Sequence, residues 1–152
     1  MIIEILDKID KIFRIILVPH PRQDLKKLKK QWNMSGGSQY GSVYDNRRGR
    51  DLLPFVAGVI GMASTLLYEA WLLGKIVISI QPGLIVDSLR TLSHKKGIVF
   101  IDQYESAEEE ICNWLFNLSS LPKQYNQIQD ELKLHLSAAK NVADNVVLFC
   151  DN

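Results

Sequence analysis

The spacing of apolar residues divides the chain into alternating helices and strands. Isoleucine and leucine recur at helical spacing in residues 2–11, which predicts an amphipathic helix. Residues 13–18 and 76–80 are runs of mainly β-branched, aliphatic and aromatic residues, interrupted only by Arg14 and Ser79, and are typical of strands that are covered on both faces of a parallel sheet. Further apolar runs at 56–60 and 98–101 predict two more strands of this kind.

Capping residues and glycines place further helices between these strands. Asp24 is suited to cap a helix that begins at Leu25, and Gly74 is suited to end a helix over residues 66–73. Strands that alternate with helices predict a parallel sheet, here a mostly parallel one of about five strands with helices on both faces. We therefore expect a single three-layer, Rossmann-like α/β domain over residues 1–152. The remaining predicted elements are a short strand near 42–44, a helical turn at 51–55, and helices at about 87–93, 106–118 and 124–149.

Composition and charge exclude several classes of function. The 152 residues carry a formal net charge of +1, so no general basic field favours nucleic acid. The longest apolar stretch, residues 66–73, is shorter than the roughly 20 residues that span a bilayer, and we expect no transmembrane segment. The two cysteines, Cys112 and Cys150, lack metal-type spacing and predict free thiols in a cytoplasmic protein. No His/Cys set or Asp-x-Asp cluster predicts a metal site or a resident cofactor.

The segment from Gly61 to Thr65 is the first candidate binding site. A predicted strand leads into Gly61, where the backbone can approach a ligand closely, and Ser64 and Thr65 then open a helix. The first N–H groups of a helix have no partner inside it, and the helix dipole is positive there, so a phosphate suits this position. An ordinary N-cap at Ser64 explains the same residues equally well.

Glu69 is an ionisable residue in an otherwise apolar helix, about one turn beyond Ser64 and Thr65. A buried carboxylate needs hydrogen-bond donors, and two neighbouring ribose hydroxyls would supply them. The alternative is a solvated glutamate on the outer face of the helix.

Three other segments carry candidate ligand contacts. His20, held between two prolines at the end of a strand, is suited to donate to a phosphate or to act as an acid, and Arg22 is suited to pair with the same phosphate. A turn with a solvated histidine is the alternative. Gln81 either contacts the edge of a base or sugar or merely ends its strand. The basic loop of Arg47, Arg48 and Arg50 is either solvated or in contact with an anionic ligand.

Residues 61–80 resemble the C-terminal, donor-binding domain of GT-B glycosyltransferases. The pattern is similar to that of peptidoglycan GlcNAc transferases and UDP-GlcNAc 2-epimerases, in which a small or hydroxyl residue opens a helix at the diphosphate and a glutamate on that helix binds ribose. In those families a Gly-Lys or Gly-x-Pro sequence follows five residues after the glutamate, and Gly74-Lys75 has this spacing from Glu69. The resemblance implies that Ser64 and Thr65 bind phosphate and that Glu69 binds ribose.

The pair formed by His20-Pro21 and Ser64-Thr65 is similar to motifs of bacterial sialyltransferases, polysialyltransferases and CDP-glycerol glycerophosphotransferases. In those families the histidine and the Ser or Thr bind the phosphate of a cytidine nucleotide. The resemblance covers residues 13–114 and implies a nucleotide-activated sugar, linked to CMP, CDP or UDP, as the ligand.

The chain departs from GT-B enzymes in size, because it has room for only one of their two Rossmann-like domains. The resemblance therefore implies a glycosyltransferase-like protein that needs a second domain or chain to supply the acceptor site. Two alternatives remain open: an epimerase-like domain that acts on a UDP-sugar, and a non-catalytic nucleotide-binding or protein-interaction module of the same fold.

Overall fold

The strands form two parallel sheets, one of two strands and one of three. The computed structural model describes residues 2–8, 13–45, 48–87, 90, 92–116, 127–135, 137 and 138. In the smaller sheet, β1 (Ile15–Leu17) pairs with β2 (Gly41–Val43). The larger sheet has the order β3-β4-β5, with β3 at Gly58–Gly61, β4 at Ile76–Ile80 and β5 at Ile98–Ile101.

The α/β class and the parallel, Rossmann-like arrangement are confirmed, whereas the single sheet of about five strands is not. The five predicted strands all form, but their ladders join them as two and three. Strands β1 and β2 are only three residues long, and their ladder pairs Ile15 with Gly41 and Leu17 with Val43. The two sheets nevertheless share a core, because Ile15 packs against the cluster that contains Ile78 of β4.

Helices lie on both faces of the three-stranded sheet. Strand β4 is buried along its whole length, as its sequence, apolar except for Ser79, predicts. One face packs Ile76, Ile78 and Ile80 against α1 and α4, and the other face packs Val77 against α3. The helices are α1 at Ile2–Asp7, α2 at Leu25–Met34, α3 at Thr65–Leu72, α4 at Tyr104–Phe116 and α5 at residues 127–135, with 3-10 helices at Gly37–Gln39 and Gly49–Phe55.

Two helix boundaries follow the predicted local chemistry. The carboxylate of Asp24 accepts hydrogen bonds from the N–H groups of Lys26 and Lys27 at 2.8 and 3.1 Å, and α2 begins at Leu25. Gly74 adopts a positive φ of 70° just after α3, where a left-handed residue lets the chain turn into β4. Both predictions are confirmed.

The helix predicted at residues 87–93 is wrong in the part that the structure describes. The N–H of Arg90 donates to the carbonyl of Asp87, and the N–H of Ser93 donates to the carbonyl of Arg90. Both bonds join residues three apart, as in a 3-10 helix or a β-turn, whereas an α-helix joins residues four apart; Asp87 is accordingly in 3-10 conformation and Leu92 and Ser93 lie in a turn. The predicted helix at 2–11 is described only to Asp7, and the one at 124–149 is described over 127–135 and at 137 and 138; the rest lies outside the described residues.

Among the described residues, no helix has both the length and the apolar character needed to cross a bilayer.

Candidate functional site

The first turn of α3 is open and uncapped. It follows β3 at the carboxyl edge, the name used here for the edge where β3, β4 and β5 end. Ser64 occupies the N-cap position with extended backbone angles, but its hydroxyl makes no capping hydrogen bond. The side chains of Ser64 and Thr65 are exposed. Two free hydroxyls therefore stand beside the unpaired N–H groups of this turn.

Gly49 lies between the end of β1 and the first turn of α3. A Cβ atom on Gly49 would lie 2.8 Å from Cγ1 of Val18 and 3.1 Å from Cδ2 of Leu66. Val18 directly follows β1, and Leu66 belongs to the first turn of α3. Val18 and Leu66 therefore both lie against Gly49, whereas contact of His20, two residues beyond Val18, with Ser64 or Thr65 stays a prediction.

The His20 segment, residues 20–23, is a turn that is held by hydrogen bonds among its own residues. Nδ1 of His20 accepts a hydrogen bond from the N–H of Arg22 at 3.2 Å, and the N–H of His20 donates to Oε1 of Gln23 at 2.7 Å. Because Nδ1 is an acceptor, the neutral ring carries its proton on Nε2. The exposed imidazole thus has a donor, which a phosphate oxygen would need. The side chain of Arg22 is exposed as well.

Glu69 is paired with Arg50. Nε of Arg50 donates to Oε2 of Glu69 at 2.8 Å, and Nη2 donates to Oε1. The guanidinium side chain is 73% exposed, whereas that of Glu69 is 29% exposed. The 3-10 helix Gly49–Phe55 runs beside α3. Just beyond the C-terminal end of α3, Nζ of Lys75 donates to the carbonyl of Pro54 at 3.1 Å. The ion pair with Glu69 holds the exposed Arg50 about one helical turn from Thr65.

Gln81 lies beneath the carboxyl edge and is only 2% exposed. Its amide nitrogen donates to Oγ of Ser79 at 2.9 Å, and Ser79 donates to the carbonyl of Met62 at 2.8 Å. This chain of hydrogen bonds ties the end of β4 to the turn between β3 and α3. Contact of Gln81 with a base or sugar stays a prediction, and its observed partners give it a supporting position under the Met62 turn.

A second polar cluster lies behind α3, where α5 docks. The hydroxyl of Tyr68 donates to Oε1 of Glu131 at 2.5 Å and lies 2.7 Å from Nε2 of His135. Nζ of Lys95 donates to the same glutamate oxygen at 2.7 Å. Burial, together with the bond to Glu131, raises the pKa of the Tyr68 phenol. The hydrogen bonds from Lys95 and then Tyr68 lower the pKa of Glu131.

The Glu131 cluster predicts an acid-sensitive contribution to stability. A carboxylate with a lowered pKa in the folded state stabilises the fold above its ordinary value of 4.5, and this contribution is lost as the pH falls through the folded value. We expect Glu131→Gln to lower the melting temperature near neutral pH, and the difference from the wild type to shrink as the pH is lowered from 4.5 through the folded-state pKa of Glu131. The control is Asp130→Asn, an exposed neighbour on α5. A constant difference between Glu131→Gln and the wild type over this pH range would contradict the prediction.

The predicted site residues fall into two groups. Ser64, Thr65, His20 and Arg22 are exposed, and Gly61 ends β3 just before the first turn of α3. Glu69 and Gln81 instead have protein partners. The ion pair between Arg50 and Glu69 has no signal in the sequence beyond the basic loop that made Arg50 a candidate. No cluster of His, Cys, Asp or Glu that could hold a metal ion occurs among the described residues.

Comparison with protein-family models, curated proteins and solved structures found no match for this chain, so the GT-B resemblance stays a prediction of its sequence.

Proposed function

We propose that this domain binds a nucleotide through its phosphates at the first turn of α3, as the donor-nucleotide half of a glycosyltransferase-like protein. The observation that carries the proposal is the uncapped turn with the exposed hydroxyls of Ser64 and Thr65 at the carboxyl edge. Ligands of parallel α/β sheets bind beyond the carboxyl ends of the strands, and anions bind where a helix begins.

The charges around this turn favour an anion. The helix dipole contributes partial positive charge at Thr65, and Nε2–H of His20 adds a donor from the neighbouring segment. Arg50 presents an exposed guanidinium on the same flank of α3. These groups would stabilise the charge that develops on a departing nucleotide phosphate, which is an electrostatic contribution to transfer.

Ribose binding by Glu69 requires a change of partners. Both oxygens of Glu69 accept hydrogen bonds from Arg50, and these are the oxygens that two ribose hydroxyls would use. A phosphate is itself a good bidentate partner for a guanidinium. We therefore expect Arg50 to turn from Glu69 to the phosphate when a nucleotide binds, which frees Glu69 for the pentose.

Nucleotide titration tests the proposal. We expect CMP, CDP, UMP or UDP to shift amide resonances around Thr65. Combined Ser64→Ala and Thr65→Ala substitution is expected to weaken binding by about tenfold or more, because hydrogen bonds to a charged group are lost. Ser38→Ala, an exposed serine in the 3-10 helix before β2, is the control. Binding is expected to persist in EDTA. Absence of any response to these nucleotides would contradict the proposal.

The same titration separates two roles of Glu69. If its carboxylate contacts ribose, Glu69→Gln weakens CDP or UDP binding by about 1–3 kcal/mol and leaves pyrophosphate binding unchanged. If Glu69 only orients Arg50, both ligands lose affinity equally. Unchanged affinity for both ligands would remove Glu69 from the site.

A further inference from the structure

Helix α2 presents a row of basic side chains to solvent. Its inward side packs on β2 through Trp32, whose Nε1 donates to the carbonyl of Gly41 at 3.2 Å. With 3.6 residues per turn, positions 26, 27, 30 and 34 fall on the opposite side of the helix. All four side chains there are exposed, and Met34 is 77% exposed. We call these residues the basic ridge: Lys26, Lys27, Lys30 and Met34.

Helix α4 presents acidic side chains in the same way. Ile111 and Trp114 are buried on its inward side, in the cluster that contains Ile78 of β4. Positions 105, 109 and 116 fall on the opposite side and are exposed, and the ring of Phe116 is 52% exposed. We call these residues the acidic ridge: Glu105, Glu109 and Phe116.

The charged side chains of both ridges have no ion-pair partner among the described residues. Their neighbours on the two helices are already paired. Lys29 on α2 contacts Asp45 at 2.7 Å, and Glu108 on α4 accepts a hydrogen bond from Lys8. Each ridge therefore faces solvent with charges of a single sign.

The formal net charge of +1 conceals this separation of charge. Residues 22–34 include five basic residues and one acidic residue, whereas residues 102–110 include five acidic residues and no basic one. Helix α2 packs on β2 and on the 3-10 helix Gly37–Gln39, and α4 packs on α1, β4 and β5, so the ridges belong to different parts of the molecule. One copy of the chain thus offers two surfaces of opposite sign, and each attracts its opposite on another copy.

The two ridges match in spacing as well as in charge. Each carries two like charges four residues apart, at 26 and 30 or at 105 and 109, which is about 6 Å along a helix. If the helices pack in parallel, each of these lysines lies opposite a glutamate. Met34 and Phe116 then lie at the same end, offset by only about 5 Å along the axis. A methionine sulfur and an aromatic ring attract each other at such a separation.

A bilayer is a poorer partner for the basic ridge than a protein surface. A helix that lies in a membrane inserts its apolar side, but the apolar side of α2 is packed on β2 through Trp32. Met34 is the single apolar side chain of the basic ridge. A partner with carboxylates at helical spacing and one aromatic ring fits this surface, and the acidic ridge has both.

We propose that copies of this chain associate, with the basic ridge of one copy against the acidic ridge of another. None of the residues in either ridge belongs to the proposed phosphate site, so this inference does not rest on nucleotide binding. A contact between two helix faces is small beside the roughly 1,200 Å² of standard interfaces, and the association is therefore weak and transient. Because it joins charges at an exposed surface, it is sensitive to salt.

Sedimentation equilibrium of the full chain tests this contact. We expect the average mass to rise with protein concentration at about 0.01 M salt, where the Debye length is about 30 Å, and to return to that of the monomer at about 1 M salt, where it is about 3 Å. Lys26→Glu combined with Lys30→Glu is expected to weaken the association at low salt by about tenfold or more, because like charges then face each other. Lys133→Glu, an exposed charge reversal on α5, is the control.

Reversal of the acidic ridge identifies the partner. Glu105→Lys combined with Glu109→Lys is expected to weaken the association as strongly as the lysine variant, with Asp130→Lys on α5 as the control. The lysine variant then has two acidic ridges and the glutamate variant two basic ones. Each variant alone is expected to stay monomeric, and a 1:1 mixture of the two is expected to associate. Recovery in the mixture also shows that neither variant lost association by failing to fold.

Met34→Ala in both proteins of the mixture separates the matched ridges from general attraction between opposite charges. We expect it to weaken the mixed association severalfold, because the apolar end of the basic ridge is lost. A mixture that does not respond to Met34→Ala overturns the inference, as does a mixture or a wild-type protein that stays monomeric at low salt. A wild-type protein that stays monomeric but binds phosphatidylglycerol vesicles through Lys26 and Lys30 would assign the basic ridge to a membrane and also overturn it.

Discussion

Replacement of Gly41 by alanine is expected to lower the free energy of unfolding by about 3 kcal/mol or more, at or beyond the upper end for overpacking. A Cβ on Gly41 would lie 1.7 Å from the carbonyl oxygen of Ile15 and 2.6 Å from its carbon. Both contacts are with backbone, which cannot rotate away as a side chain does. Because Gly41 pairs with Ile15 at the start of the two-stranded sheet, β2 has to move away from β1.

The Gly41→Ala effect is measured by chemical denaturation. Ser42→Ala is the matched control, because Ser42 is the exposed neighbour on the same strand. The displacement also reaches Trp32, whose Nε1 donates to the carbonyl of Gly41 at 3.2 Å. A Gly41→Ala protein with wild-type stability would show that the two strands do not approach as described.

Trp71→Ala is expected to destabilise the fold by about 3–5 kcal/mol, the range for removal of a large buried aromatic side chain. Trp71 is 2% exposed and packs with Leu67 and Val77 between α3 and the sheet. Its Nε1 donates to the carbonyl of Lys96 at 3.0 Å. Its ring also stacks on Tyr68, with centroids 5.9 Å apart, so its loss leaves a cavity beside the Glu131 cluster.

Two comparisons separate volume from hydrogen bonding at Trp71. Trp71→Phe keeps most of the apolar contact but leaves the Lys96 carbonyl without its donor, and is expected to cost less than the alanine variant. Leu73→Ala, at a position that is 59% exposed just after α3, is expected to change stability little. Equal effects of Trp71→Ala and Leu73→Ala would refute the packing described for α3.

Local chemistry explains which parts of the fold the sequence predicts. Asp24 and Gly74 act on backbone groups a few residues away, so their roles are visible in a short window. The helix predicted at 87–93 did not take account of tertiary contacts, because Arg90 is paired with Asp102 in the segment after β5. The division into two sheets cannot be predicted from the sequence pattern either, because it depends on which strands exchange hydrogen bonds and not on how apolar each strand is.

The residues of the candidate site also separate into those set by local sequence and those set by tertiary contacts. The turn from Gly61 into Ser64 and Thr65 is predictable, because a strand end, a glycine and hydroxyl residues follow one another directly. The partner of Glu69 is not, since Arg50 approaches from a segment 19 residues away and no spacing rule links the two. Burial of Gln81 under the Met62 turn is likewise a consequence of tertiary packing.

The three tryptophans lie in three different layers of the molecule, which gives each layer its own optical label. Trp32 reports on α2 and the two-stranded sheet, and Trp71 reports on the face covered by α3. Trp114 reports on the face covered by α4, where its buried Nε1 has no acceptor among the described residues. Its indole is therefore expected to emit at a shorter wavelength than that of Trp32. Variants that keep a single indole would thus reveal whether the layers melt together or in sequence.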